Sequence, residues 1–129
     1  MKVNLFKYFF TKGYARNADI RYELEFKDNK YFATIKHWGI PEEEATILEV
    51  DESFEKKLEE ILKKYNVSSW DGFQKSDKHV LDGNSFDLYI KMEEENNIDA
   101  SGYMKWPKNY REFKQEVIEL FDGLTEKNN

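Results

Sequence analysis

A chain of 129 residues with 40% apolar side chains has the size of one domain with one core, and 10 Phe, 8 Tyr and 3 Trp make aromatics the main supply of that core. Twenty basic against 26 acidic side chains leave a net charge of −6, which argues against nucleic acid and anionic membrane as partners because both require a positive field. With no cysteine there is no disulfide scaffold, thiolate metal site or cysteine nucleophile, and with no signal-like or membrane-length apolar run the expectation is a cytoplasmic protein.

Residues 2–10 are rich in β-branched and aromatic side chains on both alternating sets, Phe6, Tyr8 and Phe10 against Val3, Leu5 and Phe9, as expected of a central or doubly covered strand. Turn chemistry fills 13–19. Ile20, Tyr22, Leu24 and Phe26 then alternate with charges, giving the clearest strand of the chain. Asp28 and Asn29 form a tight connection, and residues 30–38 return as the hairpin partner. Two inward sets are open there: Tyr31, Ala33 and Ile35, or Phe32, Thr34 and Trp38.

Pro41 breaks the strand, Glu42 to Glu44 are solvated, and 45–50 is a candidate fourth strand. Asp51 stands at a helix N-cap, with Glu52 and Glu55 in the first turn and Lys63 and Lys64 in the last, the charge order that complements a helix dipole. Phe54, Leu58, Ile61, Leu62 and Tyr65 make its apolar stripe. No periodicity persists over 66–85, so either a short element is hidden there or the loop has a role of its own. Phe86, Leu88, Ile90 and Met92 alternate again, and 98–103 closes a second hairpin in which Gly102 leaves a shallow place for close approach to the sheet. Tyr89 and Tyr103 fall on the opposite face. Asn109 and Glu112 have the form of a capping box for a second helix, with the stripe Tyr110, Phe113, Val117, Leu120, Phe121, Leu124 and a stop at Gly123.

The order β-β-β-β-α-β-β-α predicts an α+β fold with a mainly antiparallel sheet of about five to six strands and two helices packed on one face. It occupies residues 1–125, with 126–129 as a frayed tail. Within the long loop, Trp70 and Phe73 flank the Asp71-Gly72 turn and are expected to fold onto the core with Val80 and Leu81. Gly72 and Gly83 are each expected at a positive φ.

Trp70-Asp71-Gly72-Phe73, Asp82-Gly83 before an alternating strand, Ala100-Ser101-Gly102-Tyr103, and Pro107 followed by Asn109-Tyr110-Arg111-Glu112-Phe113 together resemble a family of small uncharacterised bacterial domains. The resemblance covers 66–122 and implies no activity, cofactor or catalytic residue.

Asp71, Asp77, His79 and Asp82 are the candidates for acid–base chemistry, since a histidine oriented by a carboxylate can act as a general base; Asp-Gly is also ordinary turn chemistry, which is the stronger account. His37 and His79 lie too far apart in sequence to suggest a metal site, the six glycines make no phosphate cradle, and no cofactor is expected. Surplus aromatics, Trp38 or Tyr31 with Tyr89 and Tyr103 outside the core and Trp106 near the loop, point to protein or peptide binding or to a homodimer. Toxin-neutralising immunity proteins are likewise small and acidic, an analogy independent of fold. The competing expectation is an enzyme or small-ligand binder using the 70–82 loop, with a cleft between Trp70 and Trp106.

Overall fold

The computed structural model describes residues 2–12, 19–37, 39–77, 79, 83–94 and 97–126. Among these, seven strands and two helices follow in the order β1 (Val3–Thr11), β2 (Asp19–Lys27), β3 (Lys30–Lys36), β4 (Thr46–Val50), α1 (Glu52–Lys64), β5 (Gln74–Ser76), β6 (Ser85–Met92), β7 (Ile98–Tyr103) and α2 (Tyr110–Glu126). The strands form one sheet, β4-β3-β2-β1-β6-β7-β5, antiparallel throughout except where β5 runs parallel to β7. The α+β class is therefore as expected, whereas the strand count is seven and not five to six. The strand that periodicity missed is β5, three polar residues paired to Ser101, Gly102 and Tyr103 through the backbone, a contact that leaves no hydrophobic pattern.

β1 lies at the centre of the sheet, between β2 and β6, which accounts for its apolar residues on both sides. Phe6, Tyr8 and Phe10 face the core, while Leu5 and Phe9 are half-buried on the outer face. Val3 joins the inner set because the register slips between Val3 and Leu5. Asp28 and Asn29, at φ 54° and 63°, both take the left-handed geometry of a tight two-residue hairpin. That turn sets the β2–β3 register, and Tyr31, Ala33 and Ile35 prove to be the inward residues of β3. Trp38, from the other expected set, lies outside the described residues.

Asp51 caps α1 as expected: its backbone is extended and its Oδ1 accepts from the Phe54 amide at 3.2 Å. The capping box of α2 is not formed. Asn109 takes φ 68°, which is incompatible with the extended backbone of an N-cap, and the helix starts instead from a turn in which Tyr110 N–H donates to the Pro107 carbonyl at 3.2 Å. Nor does Gly123 end this helix, which runs on to Glu126 because Leu124 still packs against the core.

Phe121 shows how the layers interlock. Its ring lies 5.9 Å from Phe6, 5.1 Å from Tyr22 and 5.0 Å from Phe54, so one α2 side chain joins two strands and α1. At the start of α2, the Tyr8 and Tyr110 hydroxyls hydrogen-bond each other, and burial raises the pKa of both phenols.

Candidate functional site

The loop that connects α1 to the second hairpin is stitched to β7. Val67–Trp70 forms a 3-10 turn, Trp70 is 4% exposed, and its ring meets Phe113 edge-on at 5.0 Å. Next to it, the Asp71 carboxylate accepts from the Asp99 amide at 2.9 Å and Gly72 N–H donates to the Asp99 carbonyl at 2.9 Å. Ser101 N–H then donates to the Phe73 carbonyl at 2.8 Å, and Phe73 packs 6.3 Å from Phe86. These bonds lead the chain into β5. Gly72 has φ 85° as expected. Gly83 does not adopt a positive φ; it is buried, and an added Cβ would collide with the Met104 side chain, so glycine is favoured there by space and not by backbone conformation.

Of the candidates for catalysis, Asp71 is engaged by the Asp99 amide and His79 is exposed. The His79 amide bonds Asp77 Oδ1 at 3.0 Å, and its ring has no hydrogen-bond partner among the described residues. Asp82, Val80 and Leu81 lie outside those residues. A different histidine meets a carboxylate: His37 Nε2 is 2.8 Å from Asp122 Oδ1, which also accepts from the Tyr22 hydroxyl at 3.1 Å. This contact latches the end of β3 to the last turns of α2. Nothing in the sequence signals it, since the partners are 85 residues apart.

The sheet has an inner face carrying the core and an outer face carrying charges and aromatics. Over β1 to β3 the outer face is neutralised locally. Arg21 pairs with Glu23 at 3.4 Å and with Glu42, and its guanidinium sits 5.9 Å above the Phe9 ring. Lys7 pairs with Glu23 at 3.9 Å, and the buried Lys36 ammonium with Asp19 at 3.0 Å.

Over β6 and β7 the outer face differs. Tyr89 is half-buried opposite Asp99, and Asp87, opposite Phe9, is two residues away on the same face. Asp87 has no ion-pair partner among the described residues; burial, and then the charge of Asp99, raise its pKa. The Tyr89 hydroxyl accepts from Asn97 at 3.1 Å, while the Tyr103 hydroxyl is taken by the Gly83 amide at 2.7 Å. Trp106 lies on the inner side, 4.9 Å from Tyr110 and 5.7 Å from Phe86, with 37% of its surface exposed. The expected binding aromatics are thus divided between two sides of the sheet: Tyr89 and Tyr103 share the outer face, and Trp106 does not join them.

Glu55, in the first turn of α1 as the charge order implies, is only 1% exposed. Its Oε2 accepts the Val3 amide at 2.9 Å, filling the bulge of β1, and burial together with the neighbouring Glu59 carboxyl pushes its pKa up to about 7. The signal was legible: Glu55 stands three residues before Leu58 and seven before Leu62, inside the apolar stripe.

Among the described residues, no cluster of three or more His, Cys, Asp or Glu side chains is arranged to hold a metal, and no helix is long and apolar enough to cross a membrane. The fold and this surface define a small α+β domain built on a seven-stranded, mostly antiparallel sheet with one charged, aromatic face. No protein-family model matches the chain, and no curated protein sequence matches it.

Proposed function

We propose that this chain is a non-catalytic protein- or peptide-binding module of the small bacterial family its 66–122 motifs resemble, acting in the cytoplasm and binding through the β6–β7 half of the outer sheet face. The observation that carries this reading is the grouping of Tyr89 with two carboxylates, Asp87 and Asp99, neither of which has an ion pair among the described residues, since Lys7, opposite Tyr89, is engaged by Glu23. A half-buried ring beside two acids suits an arginine or lysine side chain of a partner, which stacks on the ring and bonds the carboxylates. The net charge of −6 steers such a partner toward the domain. The 70–82 loop is the weaker alternative, because the Asp71 carboxylate is already committed to the Asp99 amide.

Tyr89→Ala and Asp87→Asn test the proposal. Each is expected to change folding stability by less than about 1 kcal/mol, measured by urea denaturation, while releasing the partner that the wild-type domain retains in a pull-down. Loss of folding in Tyr89→Ala would make that residue part of the core, and undiminished retention of the partner by both variants would overturn the proposal.

A further inference from the structure

The two ends of the sheet differ in how they are protected. β5 closes one end with three residues, Gln74, Lys75 and Ser76, all polar and one of them a lysine, which is how proteins discourage further pairing. β4 closes the other end without that protection. It has five residues, no proline and no basic side chain, and among the described residues no strand pairs with its outer edge. Ile47 is 65% exposed on the outer face. On the inner side, Leu48 and Val50 line an open groove of about 430 Å³ with Phe54 and Leu124, and Asp51, Ser53 and Lys57 form its polar part.

Charge selects what can occupy this edge. From 42 to 52 the chain carries six acids, Glu42, Glu43, Glu44, Glu49, Asp51 and Glu52, and neither lysine nor arginine. Glu42 is held by Arg21, Glu49 by Lys30 at 3.7 Å and Glu52 by Lys2 at 3.6 Å, and Asp51 caps α1. Glu43 and Glu44 are exposed with no ion-pair partner among the described residues. A second copy paired antiparallel about Leu48 would set each Glu49 diagonal to its mate and bring Glu42 to Glu44 toward the other copy's Asp51 and Glu52; like charges so placed are destabilising.

We propose that the free edge of β4 takes up an extended segment of another protein as an additional strand, and that this segment alternates apolar residues with lysine or arginine. Backbone pairing supplies the register. One set of side chains, apolar, enters the groove of Leu48, Val50 and Phe54. The alternate set, basic, lies on the outer face beside Glu49, with its alkyl stems over Ile47. This surface is separate from the Tyr89 face and stands or falls independently of it.

The test is a titration of the isotope-labelled full chain with a synthetic peptide of about seven residues alternating Lys and Val, followed by NMR. The expected result is a chemical-shift change over Ile47 to Val50 and slowed hydrogen exchange of the alternate amides of β4 that point away from β3, with Ile47→Lys and Glu49→Lys each weakening binding by about tenfold or more. Both substituted residues are exposed, so both variants are expected to fold. Three outcomes would overturn the proposal: no change at these amides at millimolar peptide, equal binding of a peptide alternating Glu and Val, or concentration-dependent dimers in light scattering that Ile47→Lys abolishes, which would make a second copy the occupant.

Discussion

Both faces of β1 carry large apolar side chains, and these meet opposite fates. Phe6, Tyr8 and Phe10 lie under the helices at 5% exposure or less, whereas Leu5 and Phe9, on the same strand, stay half-buried among Lys7, Arg21 and Asp87. The cover, and not the composition of the strand, separates them. On the inner face each ring is fixed by other rings, Phe6 by Phe121, Tyr8 by Phe113 and Phe10 by Trp106; on the outer face Phe9 is held by an arginine and faces a carboxylate without a counter-ion among the described residues. A surface of the second kind can exchange its neighbours for those of a partner at little cost to the fold.

The largest effect that would break this comparison is a pair of truncations on the one strand. Phe6→Ala removes a fully buried ring and is expected to cost about 4 kcal/mol, while Phe9→Ala costs about 1 kcal/mol or less, both read from urea denaturation. Equal costs would mean that the outer face is covered in solution.

Next in size is the pH dependence set by Glu55. Its pKa in the fold, about 7, lies above the 4.5 of a free glutamate, so the protonated form favours folding. That contribution is full below about pH 4.5 and is lost as the pH rises through about 7; the gap corresponds to about 3 kcal/mol at most. Glu55→Gln keeps an acceptor for the Val3 amide and removes the titration. It is expected to flatten the stability profile between pH 5 and 8 and to be more stable than the wild type at pH 8. The same slope in both proteins would assign the pH dependence to other groups.

Smaller again are the effects at two glycines where the chain before β5 is stitched to β7. A Cβ on Gly102 would overlap the Lys105 carbonyl and come within 2.7 Å of the Phe86 ring, so Gly102→Ala is expected to cost about 2 to 3 kcal/mol by overpacking. Gly72 faces open space, and Gly72→Ala costs about 1 kcal/mol through its positive φ alone. Thermal unfolding of the two variants side by side checks the order, and a Gly72→Ala as damaging as Gly102→Ala would mean that the turn bears on the core.

Much of this was readable from spacing. The inward sets of β2, β6 and β7 follow from alternation, and the α1 stripe with its Asp51 cap follows from helical period, because each depends on residues that are near neighbours in sequence. The alternation of β7 makes Gly102 a place of close approach, and the Lys105 carbonyl and the Phe86 ring fill it. What failed were features that depend on a distant contact or on one φ angle. β5 exists only because β7 lies beside it. Asn109 turned left-handed, and the capping box was lost with it. Glu55 obeyed the stripe in spite of its charge because the bulge at Val3 presents an amide to it.

The sequence by itself determined the α+β class, the hairpins, the two helices and the aromatic core, all of them written in periodicities of two and 3.6 residues. It also placed Tyr89 and Tyr103 on the face away from that core. Only the tertiary structure decided that these two share a face without Trp106 and that, among the described residues, Asp87 stands unpaired near Asp99 and β4 ends the sheet with Ile47 exposed. The physical reason is the same in each case. A strand's pattern specifies which side of the sheet a residue occupies, but its neighbours across the sheet, and whether an edge is covered, are set by strand order and by chain segments far away in sequence.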